Sequence, residues 1–285
     1  MRFYTLAVQE FELDILNRVY QNHFVENNNP HVFFHARHND VEILAYKSGK
    51  VLLQGNDVSN TLIAIKTHLG REDYEAIGSD EVGTGDVFGP IVVCSVYTSV
   101  KDIEFLEALN VRDSKNISDA KIIQIAPRIA KRLTHSLLIL NPRKYNSLYD
   151  KGHNLNKIKA LLHNQAIIKT TEKIDHQVPV ILDQFSQPQL YFNYIKDETL
   201  IYRDIEFHTN AENVHIAVAA ASIIARYAFL VKLRDYSNKI GYDLLKGANK
   251  EVDSLIKEIF DNKGLNTLGL VAKLNYKNVT KQNLT

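Results

Sequence analysis

The segment that most constrains the fold of this chain places two adjacent acids, Asp80 and Glu81, immediately before three closely spaced glycines. The β-branched run 91–97 follows the dipeptide Gly89-Pro90, so we predict a strand on each side and a hairpin connection between them. A dinucleotide-binding loop requires glycines that open a helix, whereas here the next element is a strand. The sequence therefore favours carboxylates displayed at a strand end, and a dinucleotide oxidoreductase is the weaker alternative.

Two more acids occupy comparable places in the chain. The apolar run 178–183 is typical of a short buried strand and ends in Asp183, and Glu212 precedes a small-residue helix predicted over residues 216–226. Any one of these acids on its own is explained by a solvated turn. Carboxylates that converge from strand ends and a helix start, however, form the arrangement that holds two divalent cations for phosphoryl transfer.

Five short motifs occur in order along the chain: residues 78–86 (GSDEVGTGD), 113–115 (DSK), 181–185 (ILDQF), 209–212 (TNAE) and 219–226 (AAASIIAR). With these motifs the chain resembles the bacterial type 2 and type 3 ribonucleases H, and the resemblance covers residues 74–285. Thr84 lies between two glycines where the type 2 enzymes carry arginine, and an additional N-terminal domain precedes the motifs. Both features make the type 3 enzymes, the ribonucleases HIII, the more similar group.

The resemblance implies a fold and an activity. The fold is α/β, a ribonuclease H-like mixed five-stranded sheet flanked by helices, and the activity is that of an endoribonuclease on the RNA strand of RNA/DNA hybrids. Catalysis by two Mg²⁺ or Mn²⁺ ions leaves 5′-phosphate and 3′-hydroxyl ends. The implied catalytic and metal-binding residues are Asp80, Glu81, Asp183 and Glu212, with Glu206 as the alternative for the fourth.

Neighbouring side chains on a flat strand point to opposite faces, so Asp80 and Glu81 need a bend or bulge at Val82-Gly83 to share one site. A protein that binds hybrids without cleaving them is a further alternative. The complete set of four acids argues against that alternative.

The resemblance also implies substrate-binding residues. Backbone amides of Gly83, Thr84 and Gly85 are expected to contact 2′-hydroxyls, because glycine lets a ligand approach the backbone closely. Lys115 is expected near the substrate phosphates, and Ser222 belongs to the last of the five motifs. Segment 272–276 is similar to the family's terminal segment but has Asn275 and Tyr276 where histidine and phenylalanine are expected, so its substrate role is left open. His163 is interpreted as structural.

Residues 1–70 form a separate domain with the predicted order β-α-β-β-β-α, and residues 71–285 form the catalytic domain. The resemblance implies that this small α+β domain is similar to the TATA-box-binding-protein fold and holds the hybrid. Its candidate contacts are Tyr46, Lys47 and Lys50, which lie on one hairpin. A solvated hairpin tip is the alternative.

The sequence also predicts secondary structure in the catalytic domain. Its strands are expected at residues 74–80, 91–100, 135–140, 178–183 and 201–207, and Pro127 is expected to kink or shorten a helix that begins after Ser118. A helix from Asn154 is expected to face the core with an apolar stripe that includes Leu155, Ile158 and Ile168.

Composition limits the setting of the protein. The formal net charge of +1 argues neither for nor against a nucleic-acid partner, because acids at a metal site offset a basic groove around it. The single cysteine, Cys94, cannot form an internal disulfide, which fits a reducing compartment. No apolar run is expected to approach the roughly 20 residues that span a bilayer. We expect a cytoplasmic monomer without membrane association.

Overall fold

The computed structural model describes residues 2–70, 73–111 and 117–284. It divides the chain into two compact units, Met1–Tyr74 and Glu75–Thr285, a few residues beyond the boundary predicted at residue 70. Lys115, one of the predicted substrate-binding residues, lies outside the described residues.

The N-terminal unit has the β-α-β-β-β-α order. Its elements are β1 Arg2–Ala7, α1 Glu10–Tyr20, β2 Val32–His38, β3 Val41–Tyr46, β4 Lys50–Gly55 and α2 Ser59–His68. The strands form an antiparallel sheet in the order β1-β4-β3-β2. Asn39 and Asp40 both have positive φ, as the two central residues of a type I′ hairpin turn require, and they join β2 to β3 tightly.

Both helices of this unit cover the same face of the sheet. Leu6, Ile43 and Leu53 point to that face and pack with Leu16 of α1 and Ile65 of α2. The side chains that alternate with these point to the other face of the sheet, where no helix among the described residues of this unit packs. This open sheet face consists of Phe3, Thr5, His35, Arg37, Glu42, Leu44, Tyr46, Leu52 and Gln54.

The C-terminal unit contains the predicted five-stranded mixed sheet. Its strands are β5 Ala76–Val82, β6 Ile91–Thr98, β7 His135–Leu140, β8 Val180–Asp183 and β9 Glu206–His208. The order is β7-β6-β5-β8-β9, in which β6 is antiparallel to both β5 and β7, and β8 and β9 run parallel to β5. β9 is shorter than the predicted strand 201–207, because Ile201 and Ile205 pack into apolar clusters without joining the hydrogen-bonded ladder.

Helices lie on both sides of this sheet. They are α3 Val100–Ala108, α4 Asp119–Arg132, α5 Pro142–Asp150, α6 Leu155–Thr171, α7 Pro188–Tyr194, α8 Ile216–Ile240, α9 Lys250–Val271 and α10 Lys277–Thr280. Ser118 caps α4, as predicted, by accepting a hydrogen bond from the Lys121 amide. Pro127 lies inside α4, and the helix continues to Arg132, so the proline does not shorten it.

α8 and α6 pack on opposite faces of β5. A Cβ at Gly78 would lie 2.2 Å from the Val218 amide nitrogen, so glycine is what allows the backbone of α8 to approach the strand. On the other face, Ile167 of α6 packs with Ile77 of β5 and Val180 of β8. The buried stripe of α6 differs from the predicted one, since Leu155 and Ile168 are only half-buried whereas Lys159 and His163 are buried.

Among the residues that the structure describes, α8 passes the test of length and apolar composition for a membrane-spanning helix. Of its apolar window, 67% is buried inside the protein, where its small residues face the sheet. The expectation that no apolar run of this length exists is therefore wrong. The apolar character of α8 is accounted for by its place in the core.

Candidate active site

Asp80 lies near the end of β5 and faces α8. Its carboxylate accepts hydrogen bonds from the Ser222 hydroxyl on α8 and from the Glu81 amide, the latter at 2.8 Å from Oδ1. Enclosure by the protein, followed by the negative charges of Glu81 and Asp183, raises the pKa of Asp80 well above the ordinary aspartate value. The carboxylates of Glu81 and Asp183 therefore both act electrostatically on Asp80 at this end of the sheet.

Glu81 faces the opposite side of the sheet. Its Oε1 accepts a hydrogen bond from the Lys159 ammonium at 2.7 Å, and its Oε2 lies 2.9 Å from Nε2 of His163. Burial alone would raise the pKa of Glu81, but the hydrogen bond from His163 and the charge of Lys159 outweigh burial and lower it. Adjacent acids on one strand thus have opposite electrostatic environments.

The expected bulge at Val82-Gly83 is absent from these described strands. β5 and β6 pair in unbroken register from Ala76 opposite Thr98 to Val82 opposite Val92. The chain does bend within this predicted stretch, at Gly83, where φ is +96°. Because both acids precede the bend, they keep the opposite orientations of a flat strand, and the hypothesis that a bend or bulge turns both inward is wrong.

Asp183 ends β8, the strand next to β5. Its Oδ1 accepts a hydrogen bond at 2.9 Å from the amide of Ala211, which opens a 3₁₀ turn Ala211–Asn213. Glu212 follows in the same turn and is 7% exposed. The amide contact therefore joins the segment of Glu212 directly to Asp183, as a shared site requires.

The alternative fourth acid, Glu206, is less well placed. It begins β9 opposite Ile181, two residues before Asp183, and its side chain is 54% exposed. Its carboxylate faces His208 at 3.3 Å. Glu206 therefore lies away from the carboxyl end of β8, where Asp183 is found.

The oxygen ligands of this site suit a hard divalent cation such as Mg²⁺ or Mn²⁺. Burial and the charges of neighbouring carboxylates raise the pKa of Asp80. A bound cation would offset this negative charge, so the residues fit a metal. Within the described ranges, no group of three or more histidine, cysteine, aspartate or glutamate side chains is already arranged to hold a metal ion. One reason is visible at Glu81, where one carboxylate oxygen contacts Lys159 and the other contacts His163.

The loop after β5 presents backbone to the outside. Only glycine fits at Gly83, because a Cβ would lie 2.1 Å from the Pro90 carbonyl oxygen. Gly85 is different, since it is exposed and a Cβ there would meet nothing within 4 Å. The fold does not require glycine at position 85. For the part of the chain that the structure describes, the amides of Thr84 and Gly85 donate to no other protein group.

The segment 272–276 holds this loop through hydrogen bonds to its carbonyl groups. The Tyr276 hydroxyl donates a hydrogen bond to the Thr84 carbonyl at 2.7 Å, and the buried Lys273 ammonium donates to the Gly89 carbonyl at 2.8 Å. Burial lowers the pKa of Lys273 to about 7. The tyrosine in place of the expected phenylalanine thus supplies the hydroxyl that holds the loop.

The other predicted substrate-binding residues are distributed differently. Ser222 contacts Asp80. Tyr46, Lys47 and Lys50 lie on the hairpin between β3 and β4 in the N-terminal unit, where both lysines are exposed and Tyr46 is half-buried.

Lys159 and His163 are site residues that the sequence analysis missed or interpreted as structural. They lie one turn apart on α6 and contact a residue about eighty positions earlier in the chain. The sequence does contain one indication of their role: Lys159 and His163 are four residues apart, so both lie on the same side of the helix as its buried apolar residues. Because a buried charge is costly unless it is paired, a lysine on such a face favours an acid as its partner.

The chain is similar in sequence and fold to several known proteins. The family model described as Ribonuclease HII matches residues 77–279, and a model described as a domain of unknown function matches residues 5–61. A ribonuclease HIII of Phytoplasma mali is 48% identical over 284 residues, 99% of each chain, and one of Bacillus pumilus is 37% identical over 95% of each. The crystal structure of Bst-RNase HIII in complex with Mn²⁺ is similar with a TM-score of 0.75 and 35% identity, covering 98% of this chain and 97% of that one.

Proposed function

Since the chain belongs to the ribonuclease HII family and, within it, to the ribonucleases HIII, we propose that it hydrolyses the RNA strand of RNA/DNA hybrids at the site formed by Asp80, Glu81, Asp183 and Glu212. The observation that carries this proposal is the grouping of Asp80, Asp183 and Glu212 at the carboxyl ends of β5 and β8 and in the adjoining 3₁₀ turn, with Glu81 beside Asp80 on the opposite face of β5. The pKa of Asp80, which burial and the charges of Glu81 and Asp183 raise, supports the proposal as well.

The acids hold two Mg²⁺ or Mn²⁺ ions in this proposal. Bound there, two such ions would supply positive charge at the scissile phosphate and would make water a better nucleophile. Asp80 and Asp183 lie at the ends of the neighbouring parallel strands β5 and β8 and would hold the ions from there. Glu81 contributes from the other side of β5, and Glu212 from the turn that contacts Asp183. Attack by water gives 5′-phosphate and 3′-hydroxyl ends.

The glycine loop recognises the RNA strand. Among the described residues the amides of Thr84 and Gly85 donate to no protein group, and exposed Gly85 lets a strand of RNA come close. A backbone amide donates well to a 2′-hydroxyl, which DNA lacks. Tyr276 keeps the loop in place through the Thr84 carbonyl.

The N-terminal unit holds the hybrid through its open sheet face and the adjoining hairpin. The open sheet face combines an exposed aromatic ring, Phe3, with the half-buried apolar side chains of Leu44 and Leu52. Lys47 and Lys50 add positive charge at its edge. Apolar and aromatic groups contact sugars and bases, whereas lysines pair with phosphates, so together they suit a nucleic-acid duplex.

Cleavage of a 5′-labelled RNA/DNA hybrid in Mn²⁺ or Mg²⁺, with and without EDTA, tests the proposal. We expect cleavage that requires the metal and fragments that carry a 5′-phosphate and a 3′-hydroxyl. Metal-independent cleavage, or fragments ending in a 2′,3′-cyclic phosphate, would contradict the proposal because the nucleophile would then be the substrate's own 2′-hydroxyl. Tight binding without cleavage would favour a hybrid-binding protein.

A further inference from the structure

We propose that Lys159 competes with a divalent cation for Glu81 and thereby sets the metal affinity of the free protein. The inference rests on the proposed metal site and concerns a residue that does not itself bind a metal. The Lys159 ammonium lies 2.7 Å from Oε1 of Glu81, where a cation has to bind if Glu81 holds it through this oxygen.

Lys159 is held in this position from several sides. Its side chain is 9% exposed, and its ammonium lies 4.0 Å from the ring centroid of Phe185. Phe185 comes two residues after Asp183, so the ring that orients the ammonium belongs to the same end of the sheet. A cation over an aromatic face is stabilised further when water is excluded.

His163 fixes the other oxygen of Glu81. The imidazole is fully buried, with Nε2 2.9 Å from Oε2 of Glu81 and Nδ1 2.8 Å from the Ser79 hydroxyl oxygen. Because a carboxylate only accepts hydrogen bonds, Nε2 carries the proton in this contact. Glu81 therefore keeps one fixed partner on α6 while its second oxygen is exchangeable between the ammonium and a metal.

The contrast with Asp80 locates the competition at Glu81. Asp80 is bonded to neutral donors, the Ser222 hydroxyl and the Glu81 amide. Glu81 instead has its charge compensated by Lys159. A metal cation that binds Glu81 must either displace the Lys159 ammonium or bind next to this positive charge. Either way the affinity of the site for the metal is lower.

Direct measurement of Mn²⁺ binding tests this inference without any turnover. Isothermal titration calorimetry would compare the full-length wild-type chain with Lys159→Met, which keeps the length of the aliphatic stem and removes the charge. Lys169→Met is the matched control, because Lys169 is an exposed lysine on the same helix. Lys159→Gln, which keeps a neutral donor towards Glu81, serves as a second variant if Lys159→Met does not fold.

The expected result is that Lys159→Met binds Mn²⁺ at least about tenfold more tightly than the wild type, while Lys169→Met stays within about twofold. The thermal midpoint of unfolding gives an independent readout. Without metal the Lys159 variant should be less stable, since Glu81 loses its buried counter-ion, and Mn²⁺ should raise its midpoint more than that of the wild type.

Unchanged or weaker Mn²⁺ binding by a folded Lys159 variant would overturn the inference and leave the proposed metal site in place. If the wild type and both variants bind no Mn²⁺, the proposed metal-dependent function fails instead. The two failures are therefore distinguishable in the same titration.

Discussion

At the scale of single residues, Asp80 and Glu81 show how one peptide unit separates two chemical environments. Asp80 faces α8 and neutral donors, and Glu81 faces α6 with Lys159 and His163. The first carboxyl has a raised pKa and the second a lowered one. Neighbouring acids whose environments push their pKa values apart are a recurrent feature of catalytic sites.

The raised pKa of Asp80 makes a prediction about stability. Burial and the charges of Glu81 and Asp183 raise that pKa to about 7 in the folded protein, whereas the unfolded chain has the ordinary value of about 3.9. Between these values the folded state binds more protons, so the destabilisation is absent below about pH 4 and complete above about pH 7. Asp80→Asn should therefore raise the free energy of unfolding in EDTA by on the order of 2 kcal/mol at pH 8 and by little near pH 4.

Thermal unfolding at several pH values, with EDTA throughout, measures this effect. Asp197→Asn is the control, because Asp197 is an exposed acid and its removal should leave the midpoint unchanged at every pH. If Asp80→Asn is no more stable than the wild type at pH 8, the carboxylates do not repel one another as described.

Thr84 makes a prediction about substrate choice. Its side chain is short and uncharged, so it cannot make the bidentate contacts of an arginine guanidinium at this position. Recognition then depends on amides and on several successive 2′-hydroxyls and phosphates. We expect efficient cleavage of a duplex with a run of ribonucleotides and little cleavage 5′ of a single ribonucleotide in DNA. Similar rates on the two duplexes, in the same metal and salt, would contradict this role of Thr84.

The sequence was sufficient to nominate Asp80, Glu81 and Asp183, because an acid next to glycines or at the end of an apolar run is a local signal. It was not sufficient for Lys159 and His163. Their partner, Glu81, is about eighty residues away along the chain, and only the packing of α6 on β5 brings them together. In the sequence, contacts between such distant residues are indicated only indirectly, here by a charged residue among the apolar positions of a helix.

At the scale of elements, the glycines of the β5 hairpin have two different roles, close packing against a helix and exposure of the backbone. Gly78 admits the backbone of α8, whereas Gly85 lies on an exposed stretch with open space around it. The first is a packing requirement of the fold, and the second is explained by close approach of a ligand.

This difference predicts opposite outcomes for two alanine substitutions. Gly85→Ala should change the free energy of unfolding by less than about 0.5 kcal/mol and raise KM for the hybrid about tenfold, the effect of one lost hydrogen bond. Gly78→Ala should destabilise the fold by roughly 3 kcal/mol, since its Cβ would overlap the backbone of α8. Chemical denaturation and steady-state kinetics would measure both quantities. An unchanged KM for Gly85→Ala would remove the loop from substrate recognition.

Most elements could be predicted because their signals are local. β7 has the predicted limits, 135–140, since its apolar run is bounded by turn residues. The end of β5 and the extent of β9 could not be predicted. Whether Val82 bulges and whether residues 201–205 join the ladder depend on the neighbouring strands, not on the residues themselves.

At the scale of the whole molecule, the chain combines a unit that carries the four acids with a unit that carries an open sheet face. Each unit has its own apolar core. The N-terminal unit contains none of the four acids, so its contribution should concern binding instead of the chemical step.

Deletion of residues 1–74 should therefore raise the dissociation constant for the hybrid by at least about tenfold and change single-turnover cleavage of saturating hybrid by less than about threefold. Affinity is best measured by fluorescence anisotropy in an Asp183→Asn background, so that the substrate stays intact. Equal affinities of the full-length and shortened chains, at one ionic strength, would exclude a role of the N-terminal unit in holding the hybrid.

The measurement that tests the account most directly is single-turnover cleavage of an RNA/DNA hybrid by Asp80→Asn and Asp183→Asn in Mn²⁺, beside wild type and the exposed-acid control Asp197→Asn. We predict that both site variants, folded by circular dichroism, lose at least about a thousandfold in rate, because each loses a charge that holds the metal and offsets the developing charge on phosphate. The control should cleave at the wild-type rate. Wild-type cleavage by either folded site variant would show that the acids at the ends of β5 and β8 do not form the active site.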